Sequence, residues 1–180
     1  MRIPRFCCFL ASLSLFLLLA VILKAEGPAE PPVEKARQFD FWIGEWEVTA
    51  NGKVAGHNRI ESIVGGRALR ETWTGTGGYN GTSTNIHDST TDTWKQFWVD
   101  NSGLVLLLEG GLVDGKMVLE GRRLDAEGAT VVDRITWTPN DDGSVRQLWE
   151  SSSNGGQTWT VAFDGLYVKA EGGSAKSGIE

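Results

Sequence analysis

The chain has 180 residues, 41% of them hydrophobic and 22% charged, with a formal charge of −6 at pH 7. All 23 acidic residues lie beyond Ala25, whereas three of the 17 basic ones (Arg2, Arg5 and Lys24) lie before it, which leaves fourteen bases against 23 acids beyond that point, a charge of −9. Such a balance argues against nucleic acid as a partner; both cysteines, Cys7 and Cys8, sit in the N-terminal segment, so the remainder must be stabilised by burial and not by disulfides.

Two positive charges at Arg2 and Arg5 run directly into an apolar stretch from Phe6 to Leu23 broken only by serines. This is the outline of a signal peptide over residues 1–25, and it predicts an exported protein, periplasmic or extracellular. An uncleaved N-terminal anchor is the rival, because the apolar run approaches membrane-spanning length and the small-residue cleavage pattern is weak. Contact with a membrane is expected only through this leader. Glu26 to Pro32 is proline-rich and reads as a stiff linker. Val33 to Phe39 is the one plausible helix, a plug or lid of one to two turns, so residues 26–38 form linker and short helix, 39–170 the folded domain, and the Gly/Ser-rich 171–180 a flexible tail.

From Gly44 onward, short β-type segments alternate with glycine and asparagine turns. Strands are predicted near 44–50, 55–63, 67–74, 81–87, 93–99, 103–109, 116–123, 130–138, 144–151 and 158–168. Turns fall at Asn51-Gly52, Gly65-Gly66, Gly77-Gly78, Asn101 to Gly103, Asp114-Gly115, Glu127-Gly128, Asp141 to Gly143 and Asn154 to Gly156, where glycine supplies the positive φ of tight hairpins. The fold class is all-β: about ten sequential strands are best satisfied by a single closed, antiparallel, up-and-down barrel, which leaves no unpaired edge. A sandwich is the alternative.

Phe39-Asp-Phe-Trp-Ile-Gly-Glu-Trp-Glu-Val48 resembles the opening signature of the DUF1579-type, lipocalin-like exported bacterial proteins of unknown function. Trp94 to Asp100 followed by Gly103, and Thr158 to Tyr167, are similar to that family's middle and last strands. The resemblance implies a calycin-like barrel and no settled activity. Gly44-Glu45-Trp46 also matches the G-x-W that opens lipocalin and fatty-acid-binding barrels, in which a late-strand arginine crosses the tryptophan; here the last strand offers only Lys169, with Arg146 one strand earlier.

In the first strand Gly44, Trp46 and Val48 share one face and Glu45, Glu47 and Thr49 the other, so the tryptophan face points inward. The last strand is expected to point Trp159, Val161, Phe163 and Tyr167 inward. Middle strands mix large apolar and polar residues on one face: Glu71 with Trp73, Gln96 with Trp98, Arg123, Asp133, and Gln147 with Trp149. If those faces look inward, Glu71, Trp73, Gln96, Trp98, Arg123, Asp133 and Gln147 line a cavity fit for a small amphipathic or hydrophobic ligand, with Arg123 available to an anionic group. If the strands are bulged or turned, the same polar residues face solvent.

His57 and His87 have no partners at metal-ligand spacing and read as exposed turn histidines, an axial haem ligand being the alternative. No nucleophile motif, phosphate loop or metal cluster stands out, so no catalytic residues, metal or cofactor are predicted. Ser152 to Trp159 is similar to the Asp-box hairpin, with Asn154 where an aspartate is usual, and reads as a structural turn; Asn80-Gly-Thr82 is a glycosylation sequon. The leading expectation is a non-catalytic binding barrel. An isomerase or lyase using Glu71 or Asp133 as base, and a structural domain with a filled core, are its rivals.

Overall fold

Glycine turns at regular spacing set the architecture, because each forces the chain back beside the strand it has just left. The computed structural model describes residues 33–170; the expected leader at 1–25, most of the linker and the tail at 171–180 lie outside the described residues. A single helical turn, α1 (Val33–Ala36), and a 3-10 turn (Asp40–Trp42) precede ten strands. These are β1 (Gly44–Ala50), β2 (Lys53–Ile63), β3 (Ala68–Gly75), β4 (Asn80–Asp88), β5 (Thr93–Asp100), β6 (Val105–Val113), β7 (Lys116–Leu124), β8 (Thr130–Pro139), β9 (Val145–Ser152) and β10 (Thr160–Lys169). Every strand pairs antiparallel with its sequence neighbours, and β1 pairs with β10, so the sheet closes and has no edge. The expected all-β up-and-down barrel with a short N-terminal helix is therefore present.

The connections sort into two ends. The segment before β1 shares one end with the β2–β3, β4–β5, β6–β7 and β8–β9 turns. The β1–β2, β3–β4, β5–β6, β7–β8 and β9–β10 turns form the other.

The first end is plugged. Phe39 is fully buried, stacks on Trp42 with ring centres 4.9 Å apart, and meets Trp94 and Trp137 edge-on at 5.6 and 5.1 Å. Trp94 donates its indole N–H to Gln38 Oε1 (3.1 Å) and Trp46 donates to the Trp42 carbonyl (2.9 Å), so hydrogen bonds as well as packing hold the plug. Outside, Lys35 reaches Asp92 in the β4–β5 turn.

At the seam between first and last strands, Lys169 lies over the ring of Trp46. Its Nζ lies 3.6 Å from the centre of the Trp46 ring and donates to the Ile43 carbonyl at 2.5 Å. This explains Gly44, whose φ is +141° and whose missing Cβ would overlap the ammonium group.

Candidate functional site: a cavity in the open half of the barrel

Inward positions on consecutive strands fall into register, and in the plugged half most of them are apolar. In the open half they enclose a cavity of about 290 Å³. Trp73 on β3, Trp98 on β5, Trp149 on β9 and Phe163 on β10 form its aromatic walls, with Leu106 and Ile135 completing the apolar lining. It reaches the surface where exposed Tyr79, after the β3–β4 turn, and Ala162 line it.

The lumen stays open because the large rings lie against the wall. Trp98 lies across Gly81 of β4 and Trp73 lies near Gly56 of β2; a Cβ at either glycine would collide with the ring beside it. Indole N–H groups anchor two of the rings. Trp98 donates to Asp100 Oδ2 (3.1 Å) and Trp149 to Asp133 Oδ1 (2.8 Å).

Glu71 faces the lumen because β3 alternates inward Leu69, Glu71 and Trp73 with outward Arg70, Thr72 and Thr74. Its register partner on β4 is Ser83, whose hydroxyl donates to Glu71 Oε2 (2.6 Å); Asn58 of β2 donates to Oε1 (2.7 Å). Behind Ser83 the donors continue in one direction, Gln96 to Asn85 (2.8 Å) and Asn85 to Ser83 (2.8 Å). On the other side Asn58 donates to the Tyr167 hydroxyl (3.3 Å), which donates to Gln147. The network thus crosses from β5 to β9: the branch from Gln96 ends on the carboxylate of Glu71, Asn58 donates both to Glu71 and to Tyr167, and the far branch ends on Gln147 Oε1. Burial drives the Glu71 carboxyl up from the usual 4.5 to about 7, against the lowering effect of the Ser83 and Asn58 hydrogen bonds. Burial likewise pushes the phenol of Tyr167 well up, reinforced by the negative charge of Glu71.

At the rim Tyr79 donates its hydroxyl to Asp100 Oδ2 at 2.5 Å. Burial raises the Asp100 carboxyl, but hydrogen bonds from Ser102, Tyr79 and Trp98 outweigh that and hold it at about 2. Burial and the hydrogen bond to Asp100 push the Tyr79 phenol up.

Of the seven residues singled out in the sequence, Glu71, Trp73, Gln96, Trp98 and Gln147 line this cavity. Arg123 and Asp133 face inward but are not part of its wall. Arg123 Nε lies 2.7 Å from Asp133 Oδ2, and the other Asp133 oxygen accepts from Trp149 and from Ser151 (2.5 Å). A buried carboxylate so surrounded holds the guanidinium and the Trp149 ring in place. It is not free to act as a base, and Arg123 is drawn away from the anion-binding role expected of it.

The reading of the last strand needs correction. The ladder between β9 and β10 shifts register between Val161 and Phe163. This bulge places Ala162 and Phe163 both on the cavity wall and reverses the alternation before them. Val161 is consequently exposed, and Trp159 packs outside under the Arg134 guanidinium, 3.9 Å from its ring centre.

His57 is exposed on the outer face of β2. His87, expected to be exposed, has a side chain only 5% accessible, set between Trp94 and Asp92 at the plugged end. Among the described residues no group of three or more His, Cys, Asp or Glu side chains could hold a metal ion. The Asn154 turn is built as expected: Ser152 donates to Asn154, whose amide donates to Thr158 (2.8 Å), while the Thr158 and Gly156 N–H groups bond the Asn154 and Ser152 side chains.

Sequence reasoning passed over Asn58, Ser83 and Asn85. All three lie on the inward faces of their strands, and the hairpin registers that set Ser83 opposite Glu71 and Asn85 opposite Gln96 were the available signal. No family model and no curated protein matches the chain.

Proposed function

We propose that this protein is a non-catalytic binding barrel for a small, largely apolar molecule that enters at the end opposite the aromatic plug. We also propose that it is an exported protein of the DUF1579-type, lipocalin-like kind. The observation that carries the binding reading is a cavity kept open against the tendency of seven interior tryptophans to fill a core. About 290 Å³ is close to ten times the liquid volume of a water molecule, the low end of the range for small-ligand pockets. Aromatic walls with a few polar groups at one side suit a compact ligand with one polar end.

Proton-transfer chemistry is the second reading, and the carboxyl of Glu71 near neutrality favours it, since a general base works best close to the ambient pH. An isomerase or lyase would also need a donor aimed at developing negative charge. Four of the five aromatic donors of the lining are engaged elsewhere, Tyr79 and Trp98 on Asp100, Trp149 on Asp133 and Tyr167 on Gln147, which leaves the Trp73 indole N–H alone for that task. Binding is therefore the reading the geometry supports best.

Native mass spectrometry of the folded domain, purified gently from its own host, tests it. A discrete non-covalent adduct lost on denaturation supports the barrel as a carrier or receptor and supplies the mass of its ligand. A clean apo mass, together with no uptake of small aromatic probes, overturns it in favour of a structural barrel.

A further inference from the structure

We infer, on the basis of that binding reading, that the ligand is a small organic amine whose ammonium group seats against Glu71 while its apolar body lies between the tryptophan walls. Three independent features of the cavity converge on this. Glu71 is the only acidic residue among those lining it, and none of them is Lys, Arg or His; the nearby guanidinium of Arg123 is bound to Asp133. An anionic ligand would meet a carboxylate with no compensating cation. Four of the five aromatic N–H and O–H donors on the wall, those of Tyr79, Trp98, Trp149 and Tyr167, already serve acceptors of the protein, which leaves only the Trp73 indole among them to meet an anionic group. Finally, the walls are indole and phenyl faces, which attract cations through the ring quadrupole, most strongly where water is excluded.

The hydrogen bonds within the site point the same way. Gln96, Asn85 and Ser83 pass donors toward one Glu71 oxygen and Asn58 donates to the other, so the carboxylate is oriented and partly stabilised by neutral groups alone. A cation arriving through the lumen supplies the missing charge.

The groups facing Glu71 are Asn58 from β2, Ser83 and Asn85 from β4, Gln96 from β5, Gln147 from β9, and the phenols Tyr79 and Tyr167. Both phenols stay neutral at ordinary pH because burial raises them, and Asp100 at the rim stays charged. Glu71 is then the one group of this set that changes charge between pH 6 and 8, and an ammonium ligand binds its ionised form.

Three probes of similar size separate the possibilities: phenethylamine, 2-phenylethanol and 3-phenylpropionate, each titrated into the folded protein by calorimetry and tryptophan fluorescence. At pH 8 the amine is expected to bind about tenfold more tightly than the alcohol, with the carboxylate weakest. Amine binding should weaken about tenfold from pH 8 to pH 6, with roughly one proton released per amine bound at pH 6 and almost none at pH 8, measured in buffers of different ionisation enthalpy. Glu71→Gln should bring amine and alcohol affinities to within about twofold, and the wild-type proton count tests the same point should that variant fail to fold. Equal binding of amine and alcohol, or tightest binding of the carboxylate, overturns the amine assignment and leaves the binding barrel standing. Failure of all three at millimolar concentration overturns both.

Discussion

The two ends of this barrel are built from the same large aromatic residues and do opposite things with them. At the plugged end Phe39, Trp42 and Trp137 occupy the middle of the lumen, and the buried indole N–H groups of Trp42 and Trp137 have no hydrogen-bond acceptor among the described residues. At the open end Trp98 and Trp149 are held to carboxylates, and Trp98 lies over a glycine of the adjacent strand. A ring whose polar edge is tied to the wall, with space behind its face, lines a cavity. A ring held only by contact with other rings fills one. The number of tryptophans therefore does not distinguish a core from a pocket, and neither does an indole hydrogen bond alone, since Trp46 and Trp94 are bonded within the plug; whether the face of the ring looks onto other rings or onto open space does.

That contrast can be broken from either end. Phe39→Ala removes the hub of the plug and should cost about 3–5 kcal/mol in urea unfolding, as for other fully buried aromatics. A loss below about 1 kcal/mol would mean the plug is not part of the cooperative core. At the open end the instability is electrostatic. Folded Glu71 keeps its proton up to about pH 7, whereas the unfolded chain releases it near 4.5, so the native state binds more protons in that window and stability falls as the pH rises through it. Glu71 should account for a loss of about 3 kcal/mol between pH 4.5 and 8, and Glu71→Gln should abolish most of that dependence in denaturant titrations at several pH values. An unchanged pH profile would show that water reaches the carboxyl.

Gly81→Ala sharpens the comparison, because the new Cβ collides with the Trp98 ring and forces it into the lumen. The expected cost is about 1–3 kcal/mol, with loss of probe uptake; retained uptake would show that the ring finds another place along the wall. The smallest effect belongs to Lys35→Ala. Its exposed pair with Asp92 ties the plug to the β4–β5 turn, and its loss should leave the thermal midpoint nearly unchanged.

Strand order and inward faces were legible in the sequence because glycine turns and two-residue alternation are local. Trp46, Glu71, Gln96 and Gln147 needed only the spacing of their own strands. What escaped depends on relations between strands. The bulge beside Ala162 adds a residue that no periodicity announces, so Trp159 and Val161 were assigned to the wrong side. Arg123 and Asp133 were placed on the correct face, but their mutual pairing, which withdraws them from the cavity wall, is a cross-strand event. Asn58, Ser83 and Asn85 read as ordinary polar strand residues until their neighbours are known. His87 reads as a turn histidine, although β4 continues through it and turns its ring inward onto Trp94.

The pairing of β1 with β10 has a practical consequence for orientation. The described chain enters at Val33 and leaves beyond Lys169, both at the plugged end, with Ala170 still bonded through its N–H to the Glu45 carbonyl. Attachment at Val33 or Ala170, where the described chain enters and leaves, would therefore hold the barrel by its closed base and point the mouth between Tyr79 and Ala162 outward. The same geometry would let a surface-coupled sensor be built on this scaffold without obstructing ligand entry.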